Sequence, residues 1–71
     1  MIKTLVELHE ALSKGCDLEF LGILVDHSQL DAHNTLDVSS SLRLFEDDTN
    51  VLYLYVDSSQ TLFKIITSNK N

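Results

Sequence analysis

The chain has 71 residues, 44% hydrophobic and 23% charged, with 11 acidic against 5 basic side chains and a net charge of -6. We expect one small domain over residues 1–71, because a chain this short has too little core to divide. The single cysteine, Cys16, excludes a disulfide within the chain. The acidic excess disfavours direct nucleic-acid binding, since phosphate contacts need clustered Lys and Arg.

Hydropathy along the chain indicates no membrane segment. Residues 1–12 lack a continuous apolar core, and no stretch approaches the roughly 18 apolar residues of a membrane span. We therefore expect no signal peptide and no membrane contact. With no disulfide within the chain, a reducing, cytoplasmic location is favoured.

The first predicted element is an amphipathic helix over about residues 4–14. Leu5, Leu8 and Leu12 recur at helical spacing. Thr4 and Glu7 fit a capping box, in which each side chain accepts a hydrogen bond from the other residue's backbone. Gly15, just after Lys14, favours a helix stop at that point.

Four strands are predicted after the helix, over about residues 18–25, 35–45, 51–57 and 61–67. Gly22 interrupts the first strand and indicates a β-bulge or a close backbone approach, and residues 26–34 are predicted to form a loop or a short turn. The second strand alternates most cleanly. Its inward row is Leu36, Val38, Ser40, Leu42 and Leu44, and its outward row is Thr35, Asp37, Ser39, Ser41 and Arg43.

These elements predict an α+β fold, with one N-terminal amphipathic helix packed on a four-stranded antiparallel meander sheet. The helix is expected to cover one sheet face, made of apolar residues of the second and third strands. These are Leu36, Val38, Leu42, Leu44, Leu52, Leu54 and Val56.

The opposite sheet face is predicted to carry an apolar group on the last two strands. Its members are Val51, Tyr53, Tyr55, Phe63 and Ile65. An uncovered apolar patch often marks an interaction site. Three arrangements would cover it: the first strand and the loop folding over it, a homodimer interface, or a different protein partner.

Catalytic and metal-binding chemistry is not indicated. Cys16 follows a helix end, where the dipole disfavours a thiolate. His27 and His33, with Asp26 and Asp31, share a loop, but their spacing matches no recognised metal motif. We therefore predict no catalytic residue, no metal and no cofactor, and a protein that is not an enzyme.

A set of acidic and aromatic residues is predicted to bind a protein partner with a basic surface. Carboxylates on two predicted turns would supply the charge and two tyrosines the packing. The set is Glu46, Asp47, Asp48, Asp57, Tyr53 and Tyr55. The alternative interpretation of the acids is a surface that serves solubility alone.

The order of elements, a short helix followed by a small sheet, resembles that of some small phage and mobile-element proteins, including acidic anti-CRISPR inhibitors. The resemblance covers element order and carries over no functional residue. The leading hypothesis comes from the small size, the acidity, the absence of catalytic constellations and the spare apolar face. It is a non-enzymatic inhibitor, anti-CRISPR-like or anti-restriction-like, that blocks a basic nucleic-acid-handling partner. The alternatives are an immunity protein or antitoxin that neutralises a toxin enzyme, and a small homodimeric structural or accessory subunit.

Overall fold

The structure is a computed structural model that describes residues 2–67, except for the side chains of His27 and Asp31. One helix and a five-stranded antiparallel sheet confirm the α+β class and correct the predicted number of strands. The elements in chain order are α1 (Leu5–Ser13), β1 (Asp17–Ile23), a 3₁₀ segment (His27–Ala32), β2 (Asn34–Val38), β3 (Leu42–Glu46), β4 (Leu52–Val56) and β5 (Thr61–Ile66).

The helix begins and ends where its capping residues predict. The Thr4 hydroxyl accepts a hydrogen bond from the Glu7 backbone N–H at 3.1 Å, and the Glu7 carboxylate accepts one from the Thr4 N–H at 3.2 Å. Lys14 is the C-cap, and Gly15 follows it with a φ of 111°. That left-handed backbone suits glycine and turns the chain towards β1.

The predicted strand over residues 35–45 is wrong, because the chain reverses in its middle. Ser39 donates its backbone N–H to the Leu42 carbonyl at 2.8 Å, and its hydroxyl accepts from the Leu42 N–H at 3.3 Å. Serine side chains that bond nearby backbone compete with a strand ladder and favour turns. The three serines 39–41 therefore form a hairpin loop between β2 and β3.

The strand order is β1-β5-β4-β3-β2. Strands β2 to β5 form a meander, whereas β1 pairs with the last strand, so the predicted four-stranded meander holds only for β2 to β5. The two edges of the sheet are β1 and β2. The segment that joins them must therefore travel from one edge to the other.

The main core lies between α1 and the central strands. Leu8 of the helix packs with buried residues of β3, β4 and β5, and the innermost of these, Leu44, is 0% exposed. Burial of apolar side chains between a helix stripe and a sheet face is the main stabilising term of such a fold. The buried cluster is Leu8, Leu44, Leu52, Leu54 and Ile65.

The sheet face turned away from α1, called here the second face, is covered by the segment between β1 and β2. Leu30 of the 3₁₀ segment packs on Phe45 and Tyr55, and the Tyr55 hydroxyl donates to the Leu24 carbonyl at 2.8 Å. Tyr55 lies on this face and is only 1% exposed, because the loop covers it. Of the three arrangements considered, the structure shows the first in part, since the loop folds over this face.

Phe63 and Ile65 do not share a face with the tyrosines, which corrects the predicted apolar group. In the β4–β5 register Tyr55 lies opposite Leu62, whereas Leu54 lies opposite Phe63. Residues directly opposite on paired strands share a face. Phe63 and Ile65 therefore belong to the core under α1.

A bulge in β2 reverses two predicted side-chain directions. The pairing shifts between Thr35 and Asp37, so that Asp37 lies opposite Leu44 and Val38 opposite Arg43. Asp37 is thereby turned towards α1, where its carboxylate accepts the Leu5 backbone N–H at 2.7 Å. Val38, predicted inside, is 49% exposed.

Candidate functional site

Strand β1 presents an open edge of the sheet. Its one neighbour among the described strands is β5, with Asp17 opposite Ile66 and Ile23 opposite Thr61. The backbone N–H and C=O groups on the outer side of an edge strand have no ladder partner. These backbone groups can form hydrogen bonds with a further strand that is added at the edge.

The large exposed apolar side chains of the protein concentrate on this edge. Phe20 is 62% exposed and Ile23 is 60% exposed, and seven large apolar residues of the described chain are exposed in all. Two of the seven, Val6 and Val38, lie elsewhere. The other five, called here the β1 strip, are Leu18, Phe20, Leu21, Ile23 and Val25.

The reach of the helix explains this exposure. Nine helical residues extend about 13 Å, whereas the outer strands of a five-stranded sheet lie about 19 Å apart. Leu18 lies opposite Ile65, on the face that α1 covers, but β1 is one strand beyond the cluster that Leu8 contacts. Phe20 packs the edge of its ring on Phe63, with centroids 6.1 Å apart, and is otherwise left to solvent.

The second face of β1 is acidic. Asp17 and Glu19 alternate with Leu18 and Phe20, so the two carboxylates project on the side opposite to the apolar row. Glu19 lies directly across from Lys64 of β5. An incoming chain at this edge would therefore meet apolar side chains on one face and carboxylates on the other.

The predicted bulge at Gly22 is confirmed and limits the regular part of β1. The β1–β5 register shifts between Phe20 and Gly22, and Gly22 has a φ of 132°, which L side chains rarely adopt. The alternation from Asp17 to Phe20 is therefore intact, and the strand bends beyond it.

Asp47, one of the predicted partner-binding acids, holds the β3–β4 turn together. Its carboxylate accepts from the Thr49 hydroxyl at 2.7 Å, the Thr49 N–H at 2.8 Å and the Val51 N–H at 3.0 Å. It also accepts from the Tyr53 hydroxyl at 3.0 Å. These bonds, led by that of the Thr49 hydroxyl, lower the pKa of Asp47 to about 2.

The remaining predicted acids do not form one cluster. Glu46 and exposed Asp48 adjoin Asp47 at the end of the sheet where β1 begins, whereas Asp57 occupies the β4–β5 turn at the other end. Asp57 pairs with the Arg43 guanidinium at 3.1 Å. The four carboxylates are therefore split between the two ends of the sheet, and their binding role stays a prediction.

Tyr53 is half-buried on the second face. Its ring stacks on His33 with centroids 5.7 Å apart, and burial, with the Asp47 carboxylate as hydrogen-bond acceptor, raises the pKa of its hydroxyl. Val51 lies just outside β4 and is half-buried too. Tyr53 therefore supports both the turn and the loop that crosses this face, whereas Val51 supports the turn through its backbone N–H to Asp47.

Cys16 lies in a cleft of about 840 Å³ beside α1, with Lys14 and Leu52 among its other walls. Its thiol donates to the Ile66 carbonyl at 3.2 Å. Burial, with a smaller contribution from the adjacent Asp17 charge, raises the pKa of the thiol. Cys16 is therefore held in the protonated, weakly nucleophilic form.

The described side chains contain no group of three or more His, Cys, Asp or Glu placed to hold a metal ion. The predicted loop residues His27 and Asp31 have side chains outside those described. Over residues 2–67, no helix is long and apolar enough to cross a membrane.

Comparison of the chain with models of known protein families, with curated protein sequences and with solved structures finds no match. A functional interpretation must therefore come from the residues themselves. The feature that sequence reasoning missed is the β1 strip. The available signal was the apolar run from Leu18 to Val25 next to a helix too short to cover every strand.

Proposed function

We propose that this protein is a non-enzymatic binding protein that inhibits a larger, basic, nucleic-acid-handling protein, and that it docks through β1. The observation that carries the proposal is the exposed β1 strip on an open sheet edge. Exposed apolar residues that adjoin one another are typical of protein interaction sites. Phe20, a large aromatic residue, is the expected anchor of the interface.

The charge of the protein supports the choice of partner. A net charge of -6 attracts basic surfaces and speeds association at low salt. Asp17 and Glu19 bring part of this charge to the same strand as the apolar strip. Proteins that handle nucleic acid carry clustered Lys and Arg, and an acidic protein that covers those residues blocks the phosphate path.

The states of Cys16 and Asp47 support a binding role. Cys16 has a raised pKa and a hydrogen-bonded thiol. Asp47 has a lowered pKa because it holds a turn. Both shifts arise from structural contacts and leave each group in its ordinary, unreactive protonation state at neutral pH.

The test is affinity capture from host lysate with tagged wild type and Phe20→Ser, followed by inhibition assays on the purified captured protein. Val6→Ser is the matched control, since Val6 is 68% exposed on the helix and outside the strip. We expect wild type and Val6→Ser to capture and inhibit a basic nucleic-acid-handling protein at low salt. Phe20→Ser should reduce both the amount of protein captured and the inhibition by about tenfold or more.

Asp17→Lys and Asp48→Lys separate the two acidic regions, because neither substitution touches the bonds of Asp47. If only Asp17→Lys weakens capture, the electrostatic contact lies at β1. If only Asp48→Lys weakens capture, the contact lies at the β3–β4 turn. Capture of no heterologous protein, or equal inhibition by wild type and Phe20→Ser, would contradict the proposed function.

A further inference from the structure

The backbone of β1 and its two side-chain rows together specify the kind of segment that fits this edge. We propose that β1 binds an extended strand of the partner in which basic and apolar residues alternate, so that the partner adds a sixth strand to the sheet. The inference rests on the proposed function and gives it a binding mode and a ligand chemistry.

The unpaired backbone favours an added strand over a flat contact. β1 has a strand neighbour on one side within the described chain, so its outer N–H and C=O groups are open. A flat apolar partner pressed on the β1 strip would remove water from these groups without replacing its hydrogen bonds, which is costly. An added strand buries the same apolar side chains and satisfies those groups.

The two rows of β1 fix the pattern of the added strand. Leu18 and Phe20 project towards the helix side, and Asp17 and Glu19 towards the second face. Cross-strand neighbours share a face, and opposite charges there attract whereas like charges repel. Apolar residues therefore fit beside Leu18 and Phe20, and Lys or Arg beside Asp17 and Glu19.

A second copy of the chain fits this edge less well. Two β1 strands paired antiparallel about Phe20 would place Glu19 of each copy diagonal to Glu19 of the other, roughly 7–8 Å apart on one face. Each copy also carries a net charge of -6, so the whole molecules repel. A basic strand from a different protein avoids both the repulsion between the Glu19 side chains and the repulsion between two acidic molecules.

The bulge sets the extent of the recognised segment. Asp17 to Phe20 alternate regularly, whereas the register shifts before Gly22. Gly22 offers no side chain to the second face. We therefore expect the charge requirement on the ligand to be confined to the positions beside Asp17 and Glu19.

The probe is a capped synthetic peptide of about seven residues, a usual strand length, that alternates Lys and Val. The matched peptide replaces each Lys by Glu. A third peptide keeps the Lys–Val sequence and carries N-methyl groups on alternate amides, which removes ladder donors and leaves the side chains and charge unchanged. Binding is measured by titration calorimetry at low and high salt, and backbone amide exchange of the full chain is followed by NMR.

We expect the Lys–Val peptide to bind, and the Glu–Val and N-methylated peptides to bind at least about tenfold more weakly. Amides in β1 should gain at least about tenfold protection from exchange, and those of β2 none. Glu19→Lys should weaken the binding of the Lys–Val peptide and strengthen the binding of the Glu–Val peptide. Val6→Ser should leave both affinities unchanged.

Equal binding of the plain and N-methylated peptides, no binding of the Lys–Val peptide, or no added protection in β1 would overturn strand addition. A concentration-dependent dimer that protects the same amides would overturn the choice of ligand, because a second copy would then occupy the edge. The proposed function is judged separately, by whether Phe20→Ser loses the captured protein. Strand addition can thus fail while capture through the β1 strip holds.

Discussion

The two edges of the sheet are built differently. β2 has five residues, contains a bulge, and turns the Asp37 carboxylate inward to accept the Leu5 N–H. β1 has seven residues, and four of its side chains belong to the exposed apolar strip. The first edge is short, kinked in its middle and carries an inward charge, whereas the second is longer and has exposed apolar side chains on the helix side and carboxylates on the other.

Short strands, bulges and inward charges are the usual means by which proteins prevent unwanted strand pairing. β2 uses all three. β1 has its bulge after Phe20, which leaves the segment from Asp17 regular. The same chain that closes one edge leaves the other able to pair, and this contrast is the basis for assigning binding to β1.

The largest expected loss of stability comes from a core substitution, and the same substitution type on the open edge is expected to cost less. Leu44→Ala removes a side chain that is 0% exposed under the helix, and we expect a loss of about 2–5 kcal/mol in the free energy of unfolding. Leu18→Ala, its matched control on β1, should cost less than about 1.5 kcal/mol, because Leu18 is partly in solvent already. Urea denaturation measures both, and equal losses would mean that β1 belongs to the core.

The closed edge is tested by Asp37→Ala. This substitution removes the acceptor of the Leu5 N–H and a negative charge at the positive helix end, so we expect a loss of about 1–2 kcal/mol. Asp37→Asn keeps an acceptor and should lose less. Unchanged thermal unfolding of Asp37→Ala would show that β2 is not tied to the helix by this bond.

Gly22→Ala tests the bend that ends the regular part of β1. A methyl group at this position would meet no atom of the surrounding structure within 4 Å, so the cost comes from the positive φ and should be about 1 kcal/mol. NMR cross-strand contacts would report whether the bulge persists. Full stability with the bulge intact would contradict the conformational argument.

Asp47→Asn distinguishes structural acids from those on β1. The pKa of Asp47 is lowered from 3.8 to about 2 in the folded protein, so its stabilising effect is present above about pH 4 and is lost as the pH falls to about 2. Solvent screens this surface carboxylate, and we expect a smaller effect than that of Gly22→Ala.

Unfolding measured from pH 7 to pH 2 should show wild type and Asp47→Asn converging at the acid end. Asp17→Asn, which removes an exposed carboxylate outside this turn, is the control. A constant difference between wild type and Asp47→Asn across this range would contradict the assignment of the lowered pKa to the folded turn.

The smallest effect on stability is expected for Phe20→Ser. Most of the ring is in solvent, so the loss should stay below about 1 kcal/mol, similar to that of Val38→Ser on the other edge. Partner capture should separate the two variants, since only Phe20→Ser removes the anchor on β1. A stability loss for Phe20→Ser of the size expected for Leu44→Ala would mean that Phe20 is a core residue.

Local features of this fold were predictable from sequence. The capping box of Thr4 and Glu7, the stop at Lys14 and Gly15, and the bulge at Gly22 each depend on a few neighbouring residues. The break at residues 39–41 was hidden because the serines there continue the alternation of strand residues on either side. The hydrogen bonds between Ser39 and Leu42 close the loop there, and only the three-dimensional structure shows them.

The directions of side chains and the order of strands in the sheet were harder to predict from the sequence. β5 carries apolar residues on both faces, so no clear alternation shows that Phe63 and Ile65 face the helix. The β1–β5 pairing joins Asp17 to Ile66, a separation at which short-range patterns carry no information. The β1 strip was missed for that reason, because its exposure follows from edge position and from the reach of the helix.

The pairing of β1 with β5 also bears on how the chain is made. β1 is synthesised before its partner in the sheet, Thr61–Ile66, because it comes earlier in the chain. Until that partner is made, both edges of β1 and its apolar side chains are open, and such unpaired edges promote aggregation during synthesis.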